Sequence, residues 1–455
     1  MALGKRKHQQ QEAWVATTEL PRSPGHPFYK KLNQLLAEAG FDEWIETVCE
    51  PYYAETLGRP SIPPGTYFRM LLIGYFEGIA SQRGIAWRCS DSRSLQEFLG
   101  YGPTDQTPDH SSLTRVHQRL PHQVHAEMFQ FVLEIAISKK LVAGQTVGVD
   151  STLLEANAAM KSIVRRDTGE DWKEYLRRLA AEAGLENPTD EDLRRFDKQR
   201  KDKSVPNDEW QAPHDPDSRI AKMKDGRTHL AYKAEHVVDL KSGVVLAAEI
   251  YTADQGDAET LADSVLAAQL NLDEAGSDTQ IDEVAADKGY HKASTLELCD
   301  WLSWRTYIPE PKRKHASRWT DKPAEYERCV TNNRRRVKRA KSKQLQRWRS
   351  ERVERGFAHV CETGGARRCW LRGQMTVAKR YLMQVAAHNL AIIMRKLFGV
   401  GTARSLQTSG RLLWTLDLAI WRRWCALRAI PVTYVAQSAN VDHRSTVHPS
   451  LALAA

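Results

Sequence analysis

Two short stretches decide the fold: residues 146–152 read TVGVDST, and residues 280–290 read QIDEVAADKGY. In each, a β-branched or apolar run ends at an aspartate, Asp150 in the first and Asp287 in the second, and Gly289 lets the chain turn sharply afterwards. Open α/β sheets bind their ligands at the carboxyl ends of such strands. If the two strands are neighbours, they lie ~4.8 Å apart, and both carboxylates can share a metal ion.

The sequence around these stretches alternates between strand and helix patterns, which predicts an α/β fold with a mixed sheet flanked by helices. Gly243 lies in the turn of a predicted hairpin. The predicted elements after the first aspartate strand are strands at 229–239 and 244–252, a helix at 258–270, a strand at 280–286, a helix at 292–302 and a strand at 305–308.

Residues 1 to about 140 show no strand pattern and are predicted to be mostly helical. Pro63 and Pro64 open an apolar helix, and the cluster Asp109-His-Ser-Ser is a good N-cap for another. Short helices joined by tight turns suit a helix-turn-helix DNA reader, and a plain helical bundle for packing or dimerisation fits equally well. The predicted organisation is a helical domain at 1–140, an α/β domain at 141–400 with a charged helical insertion at about 160–228, and a partly helical tail at 401–455.

Positive charge is concentrated in one part of the chain, whose net charge is +9. Between Lys312 and Arg355 there are seventeen Lys or Arg residues against five Asp or Glu residues. A solvated charged face is one explanation, but so many cations favour contact with a polyanion such as DNA, whose phosphates they would neutralise. The candidate phosphate-binding residues are Lys312, Arg313, Lys314, Arg334, Arg335, Arg336, Lys338, Arg339, Arg352 and Arg355.

The sequence shows no pattern of an exported or membrane protein, so a cytoplasmic protein is predicted. The basic N-terminus is not followed by an apolar stretch. The most apolar C-terminal segment, Leu412 to Ala426, is broken by charged residues and falls short of the ~20 apolar residues that a membrane span needs. The seven cysteines form no CxxC pair, which argues against a disulfide framework.

A third acidic group is available on the helix predicted after the basic run. Glu351 and Glu354 are three residues apart, and Val353 and Phe357 mark the neighbouring buried stripe. Glu354 adjoins that stripe and can point at the strand ends, whereas Glu351 lies nearer the solvated start of the helix. Glu351 and Glu354 could instead form ion pairs with neighbouring arginines on a solvent-exposed surface. Glu362 is a weaker third candidate.

A series of motifs resembles the DDE transposases of bacterial insertion sequences over roughly residues 25–398. Its motifs most resemble those of the group with an InsH-like N-terminal domain and an RNase H-like catalytic domain. The resemblance implies that Asp150, Asp287 and Glu354 are the catalytic, metal-binding carboxylates. The motifs are PSIPPGTYFRMLLIGYFEG, DHSSLTRVHQRL, GVDST, ADQGDAET, ADKGYH and SERVERGFAH.

The sequence departs from this family around the glutamate. Many relatives carry a tyrosine, an arginine and a lysine at set distances from it, but Ser350 stands four residues before Glu354 and Cys361 seven after. Arg349, Arg352 and Arg355 are the candidates to replace the missing basic residues.

The resemblance also implies a reaction. Two Mg²⁺ ions, or Mn²⁺ in their place, would assist DNA cleavage and strand transfer at an all-oxygen site. The DNA partners would be the terminal inverted repeats and the target, both double-stranded. A second copy of the chain would complete a homodimer on DNA, and the protein would be associated with the bacterial nucleoid. Two alternatives stay open: an RNase H-like nuclease without strand transfer, and an inactive DNA-binding descendant, which gains weight if the two aspartates are far apart.

Overall fold

A computed structural model describes residues 25–54, 58, 60–185, 187–201, 205–312 and 319–404. Arg313, Lys314 and nearly all of the tail predicted at 401–455 therefore lie outside the described residues. Within the described ranges, no helix is both long enough and apolar enough to cross a membrane.

The described part of the first 140 residues is helical, as the sequence predicted. The proline-initiated helix begins at Pro64 and ends where Gly78 adopts a left-handed conformation with a φ of 70°. Asp109 caps another helix by accepting a hydrogen bond from the backbone N–H of Ser111. These helices are α1 (Pro27–Glu38), α2 (Phe41–Cys49), α3 (Pro64–Glu77), α4 (Gln82–Asp91), α5 (Arg93–Phe98), α6 (His110–Arg119) and α7 (His122–Ser138). The sequence pattern did not predict α2 or α7.

The α/β part contains one six-stranded mixed sheet and a separate two-stranded pairing of β2 with β3. In the large sheet, β1 is central, with β5 antiparallel on one side and β7 parallel on the other; β8 lies parallel beyond β7, while β4 and β6 both pair with β5. The predicted mixed sheet is confirmed. The strands are β1 (Thr146–Glu155), β2 (Val164–Arg165), β3 (Trp210–Gln211), β4 (Arg219–Lys222), β5 (Thr228–Asp239), β6 (Val245–Thr252), β7 (Glu283–Ala285) and β8 (Arg305–Tyr307).

Helices flank this sheet in the predicted order, although the helix predicted after the basic run is not regular. The chain there makes π-type turns at Ser350–Glu354 and Ala358–Thr363, on either side of one short α-helical turn. The remaining helices are α8 (Trp172–Glu182), α9 (Asp190–Gln199), α10 (Asp257–Glu274), α11 (Ala293–Trp301), α12 (Ala324–Val337), α13 (Ala340–Arg349), α14 (Arg355–Phe357) and α15 (Gln374–Phe398).

The long helix α15 joins the N-terminal helices to the sheet. The side-chain amide of Asn389 donates to the carbonyl of Val245 in β6 and accepts from its backbone N–H. On the same helix, Nδ1 of His388 lies 3.2 Å from the hydroxyl of Tyr75 in α3. Because these groups are buried, their polar atoms must be paired within the protein, which fixes the position of α15.

The charged insertion is only partly separate from the sheet. Its helices α8 and α9 share a small apolar cluster of Leu176, Ala180 and Leu193. β4, however, falls inside the range predicted as insertion and pairs with β5 as a strand of the main sheet. The sequence pattern did not predict β4, because its residues are only half-buried or exposed and the strand lacks a continuous apolar face.

Candidate active site

The register of β1 and β7 brings the two aspartates together. Gly148 pairs with Ala285 in a parallel ladder, and two residues later come Asp150, still on β1, and Asp287, just beyond the end of β7. The condition that these two strands are neighbours is therefore met. The prediction that β1 ends at Asp150 is wrong, because β1 continues to Glu155 through its antiparallel pairing with β5. Asp150 therefore lies on the part of β1 that extends beyond the end of its parallel neighbour β7.

Gly148 lets the helical stretch after the basic run approach β1 closely. A Cβ at this position would lie 2.6 Å from Cδ2 of Leu240, 3.1 Å from Cγ2 of Val353 and 3.3 Å from Cγ of Arg349. Such distances leave no room for a larger residue. The glycine therefore sets the spacing between β1 and the segment that carries Arg349 and Glu354.

The π-type turn places Glu354, and not Glu351, next to Arg349. Turns with i→i+5 hydrogen bonds bring residues five apart near the same side of the helix. Arg349 and Glu354 are such a pair, with Nη2 of the arginine 3.9 Å from Oε1 of the glutamate. Glu351 instead lies 3.8 Å from Arg355, and the side chains of both glutamates are at least half exposed. Their positions differ in that Glu354 lies beside Arg349, the partner of Asp150.

Arg349 connects the carboxylates across the site. Its Nη1 donates to Oδ2 of Asp150 at 2.7 Å, and its Nε donates to Gln346. Burial raises the pKa of Asp150, and the negative charges of Asp287 and Glu354 raise it further, while Arg349 and the backbone N–H of Ser151 act in the opposite direction. All three candidate carboxylates therefore lie within electrostatic range of one another.

The donor chemistry of this site fits a hard divalent cation, because all three candidate side chains offer carboxylate oxygens. Among the described residues, however, no three His, Cys, Asp or Glu side chains converge closely enough to hold a metal ion. The guanidinium of Arg349 holds Oδ2 of Asp150, the oxygen that faces the helical stretch. The fold brings the three carboxylates within electrostatic range of one another, and the arginine on Asp150 closes the arrangement in this structure.

The predicted phosphate-binding residues fall into two groups. Several have partners within the chain: Arg334 pairs with Glu310, Arg336 donates to Thr306, Arg352 lies over the Trp348 ring and Arg355 lies near Glu351. Lys312, Arg335, Lys338 and Arg339 are exposed. The weaker glutamate candidate, Glu362, forms an ion pair with Arg367.

Two features of the site were not predicted from the sequence. Arg349 was considered only as a replacement for a missing basic residue, and its contact with Asp150 depends on the meeting of two segments 199 residues apart. Asp257, in the ADQGDAET motif, received no role, although it accepts a hydrogen bond from Ser151. An aspartate in the first turn of a helix is common, so the sequence alone gives no signal for this contact.

The sheet order and the carboxylate positions define an RNase H-like catalytic fold, and comparison with protein families agrees with it. Residues 18–119 match the family described as transposase domain (DUF772), and residues 206–390 match the transposase DDE domain. Together the two matches cover more than half of the 455 residues. The chain belongs to the DDE transposases of insertion sequences, with an N-terminal transposase domain before the DDE domain.

The matched ranges contain Asp287 and Glu354 but not Asp150, which lies in the interval between them. Its inclusion in the site therefore rests on the register of β1 and β7 and on its contact with Arg349. No curated protein and no solved structure matches the chain significantly.

Proposed function

We propose that this transposase cleaves DNA at the ends of its insertion sequence and joins the freed 3′ ends to target DNA, using Asp150, Asp287 and Glu354. The observation that carries the proposal is the approach of these carboxylates from two neighbouring strands and the π-type turn. When bound, divalent ions would activate the attacking oxygen and stabilise the leaving oxygen at phosphorus.

Asp150, Asp287 and Glu354 are the side chains that would hold the ions. The negative charges of Asp287 and Glu354 both act on Asp150, which makes it the carboxylate that senses the other two. An ion that binds Oδ2 of Asp150 would compete with the guanidinium of Arg349 for this oxygen. A DNA phosphate is the natural new partner for a guanidinium, because it accepts two hydrogen bonds in the same planar geometry.

DNA would reach this site along the exposed cations of the basic run. Lys338 and Arg339 lie between α12 and α13, and α13 leads directly to Arg349 and the π-type turn. The domain boundaries near residues 140 and 400, binding of terminal inverted repeats by the N-terminal helices and assembly as a homodimer on DNA are parts of the same proposal. Two DNA ends must be brought together for joining, which is the reason to expect two copies of the chain.

The test is cleavage of labelled DNA that carries the terminal sequence of the protein's own element, with Mg²⁺ or with EDTA. We expect Asp150→Asn, Asp287→Asn and Glu354→Gln to lose cleavage while still binding the DNA. Glu351→Gln is the matched control, since it removes the same charge three residues from Glu354 on the same helical stretch and should cleave normally. Normal cleavage by any of the three site variants would contradict the assignment of that residue.

A second assay separates transposition from simple hydrolysis. A supercoiled plasmid added as target should acquire labelled, covalently joined ends when the precut end DNA carries a 3′-hydroxyl. Cleavage without joined products would instead support the nuclease alternative. End binding with no metal-dependent cleavage would support the inactive descendant, although the neighbouring position of the two aspartates argues against it.

A further inference from the structure

We propose that Asp257 is a positioning residue of the carboxylate site, which holds the chain beside Asp150 and the chain after Asp287 at a fixed spacing. This inference rests on the proposed function, because it names how two of its three carboxylates are kept in place. Its starting point is that Asp257 contacts the residue after one aspartate and approaches the turn after the other.

The register of β1 and β5 separates the two sides of the site. Residues directly opposite each other in an antiparallel pair share a face of the sheet, and successive residues alternate. Asp150 pairs with His236, which stacks on Phe357 of the helical stretch, so Asp150 shares that face. Ser151 pairs with Glu235 and therefore lies on the opposite face, which α10 covers. Asp257 acts from this second face.

The first contact of Asp257 is with the chain beside Asp150. The hydroxyl of Ser151 donates to Oδ1 of Asp257 at 2.8 Å. The same oxygen lies 3.1 Å from Nζ of Lys233, whose side chain is only 4% exposed. Lys233 is held in turn by Thr260 and by the carbonyl of Gln255. Oδ1 is thus fixed by a buried cation and fixes Ser151.

The second approach is to the turn after Asp287. A Cβ on Gly289 would lie 2.9 Å from Oδ2 of Asp257 and 2.9 Å from Oδ1 of Asp287. The two carboxylate oxygens therefore flank the glycine and are separated by no more than twice that distance. The backbone N–H of Gly289 donates to Oδ1 of Asp287, which holds this turn closed. Asp257 forms the other wall of the turn.

The electrostatic balance explains why an aspartate is needed at this position. A neutral residue would leave Lys233 with Glu235 as its acidic partner, 3.4 Å away, and would remove negative charge beside Asp287. An asparagine could also donate a hydrogen bond to Asp287 and draw it away from the position it now holds. Both changes would weaken the affinity of the site for a divalent cation without unfolding the sheet.

The experiment measures Mn²⁺ binding by the full chain through calorimetry, together with kcat and KM for end cleavage. We expect Asp257→Asn to weaken Mn²⁺ binding roughly tenfold or more, because it removes a charge close to the site. Its kcat should fall while its KM for DNA stays unchanged. Ser151→Ala should change both quantities in the same direction but less, and its effect should not add to that of Asp257→Asn.

Asp263→Asn is the matched control, since it makes the same change on an exposed position of α10. If Asp257→Asn and Ser151→Ala bind Mn²⁺ and cleave as this control does, while Asp287→Asn loses both properties, the positioning role is wrong and the proposed function stands. If Asp150→Asn and Asp287→Asn also bind Mn²⁺ normally, the proposed function itself fails. A change in thermal stability alone would show that Asp257 has a purely structural role.

Discussion

Arg349 gives the sharpest test of the closed arrangement, because its removal should strengthen metal binding while it impairs catalysis. The hydrogen bond from Arg349 to Asp150 is 2.7 Å long, and the two side chains are 11% and 21% exposed. Hydrogen bonds to charged groups contribute about 1.5–3 kcal/mol net, and about 1.4 kcal/mol corresponds to a tenfold change in affinity. If an ion must displace the guanidinium, Arg349→Gln should bind Mn²⁺ roughly ten- to a hundredfold more tightly without DNA.

The pH of the measurement matters for this variant. Arg349 opposes the effect of burial on Asp150, so its removal should raise the pKa of this carboxyl further. A proton then competes with the metal ion at this carboxylate, and the gain in affinity should shrink as the pH falls. Thermal unfolding gives a second readout, because Mn²⁺ should stabilise the variant more than the wild type at equal concentration.

Arg355→Gln is the control for Arg349→Gln, since it removes an arginine of the same helical stretch whose partner is the exposed Glu351. Its Mn²⁺ affinity should equal that of the wild type. Equal or weaker Mn²⁺ binding by Arg349→Gln would refute the view that Arg349 closes the site, and loss of Mn²⁺ binding would show that Arg349 assembles the carboxylates instead. Cleavage by Arg349→Gln should fall if the guanidinium contacts a DNA phosphate.

Three further predictions test the surroundings of the site. Gly148→Ala should lower the free energy of unfolding by about 1–3 kcal/mol in urea denaturation, because its Cβ would collide with Leu240 and Val353. Gly356→Ala is the control and should keep the free energy of unfolding of the wild type, because its Cβ would make only ordinary contacts. Equal stability of the two variants would contradict the packing argument. Burial alone would raise the pKa of Glu283, but hydrogen bonds from Lys341, Thr146 and Tyr307 outweigh it and lower the pKa. Glu283→Gln should therefore lose stability at neutral pH, with the difference from wild type vanishing as acid protonates Glu283; a difference independent of pH would contradict this. Replacing Lys338 and Arg339 by glutamine should reduce the slope of log K against log salt for DNA binding by about 0.9 per lost phosphate contact. Arg334→Gln should change this slope less, because Arg334 is already paired with Glu310. An unchanged slope in the double variant would exclude this surface as a DNA-binding surface.

The sequence predicted those elements whose signals are local. Asp109 announces the start of α6 through its side-chain cap, and Gly243 with its positive φ of 84° marks the turn between β5 and β6. The alternation of strands and helices after this hairpin was sufficient for the order of the elements along the chain. By contrast, α7 was not predicted. It is buried over much of its surface and so lacks a clear polar face, and Pro121 at its N-cap position provides no side-chain hydrogen bond.

The site was less predictable than the sheet, because its decisive contacts join distant segments. An ordinary α-helix through residues 343–357 places Glu351 and Glu354 on one face and leaves the choice between them open. The π-type turn at Ser350–Glu354 brings Glu354 within 3.9 Å of Arg349, and its location beside Gly148 shows that packing against β1 accompanies the change in helical geometry. Contacts such as Ser151 with Asp257 depend on the register of β1 and β5, which the sequence pattern does not specify to the residue.

The two cations that flank β1 differ in a way that suits the proposed reaction. Lys233 is enclosed on the α10 face by Asp257, Glu235, Thr260 and the carbonyl of Gln255, so removing it would leave the buried carboxylate of Glu235 without this counter-charge. Arg349, on the opposite face, has one close carboxylate partner, which is also a candidate metal ligand. A divalent ion can replace its charge there, but nothing equivalent can replace Lys233. Under the proposed function, the α10 face would hold the aspartates in place throughout the reaction, while the face of the π-type turn would exchange its cation when metal and DNA bind.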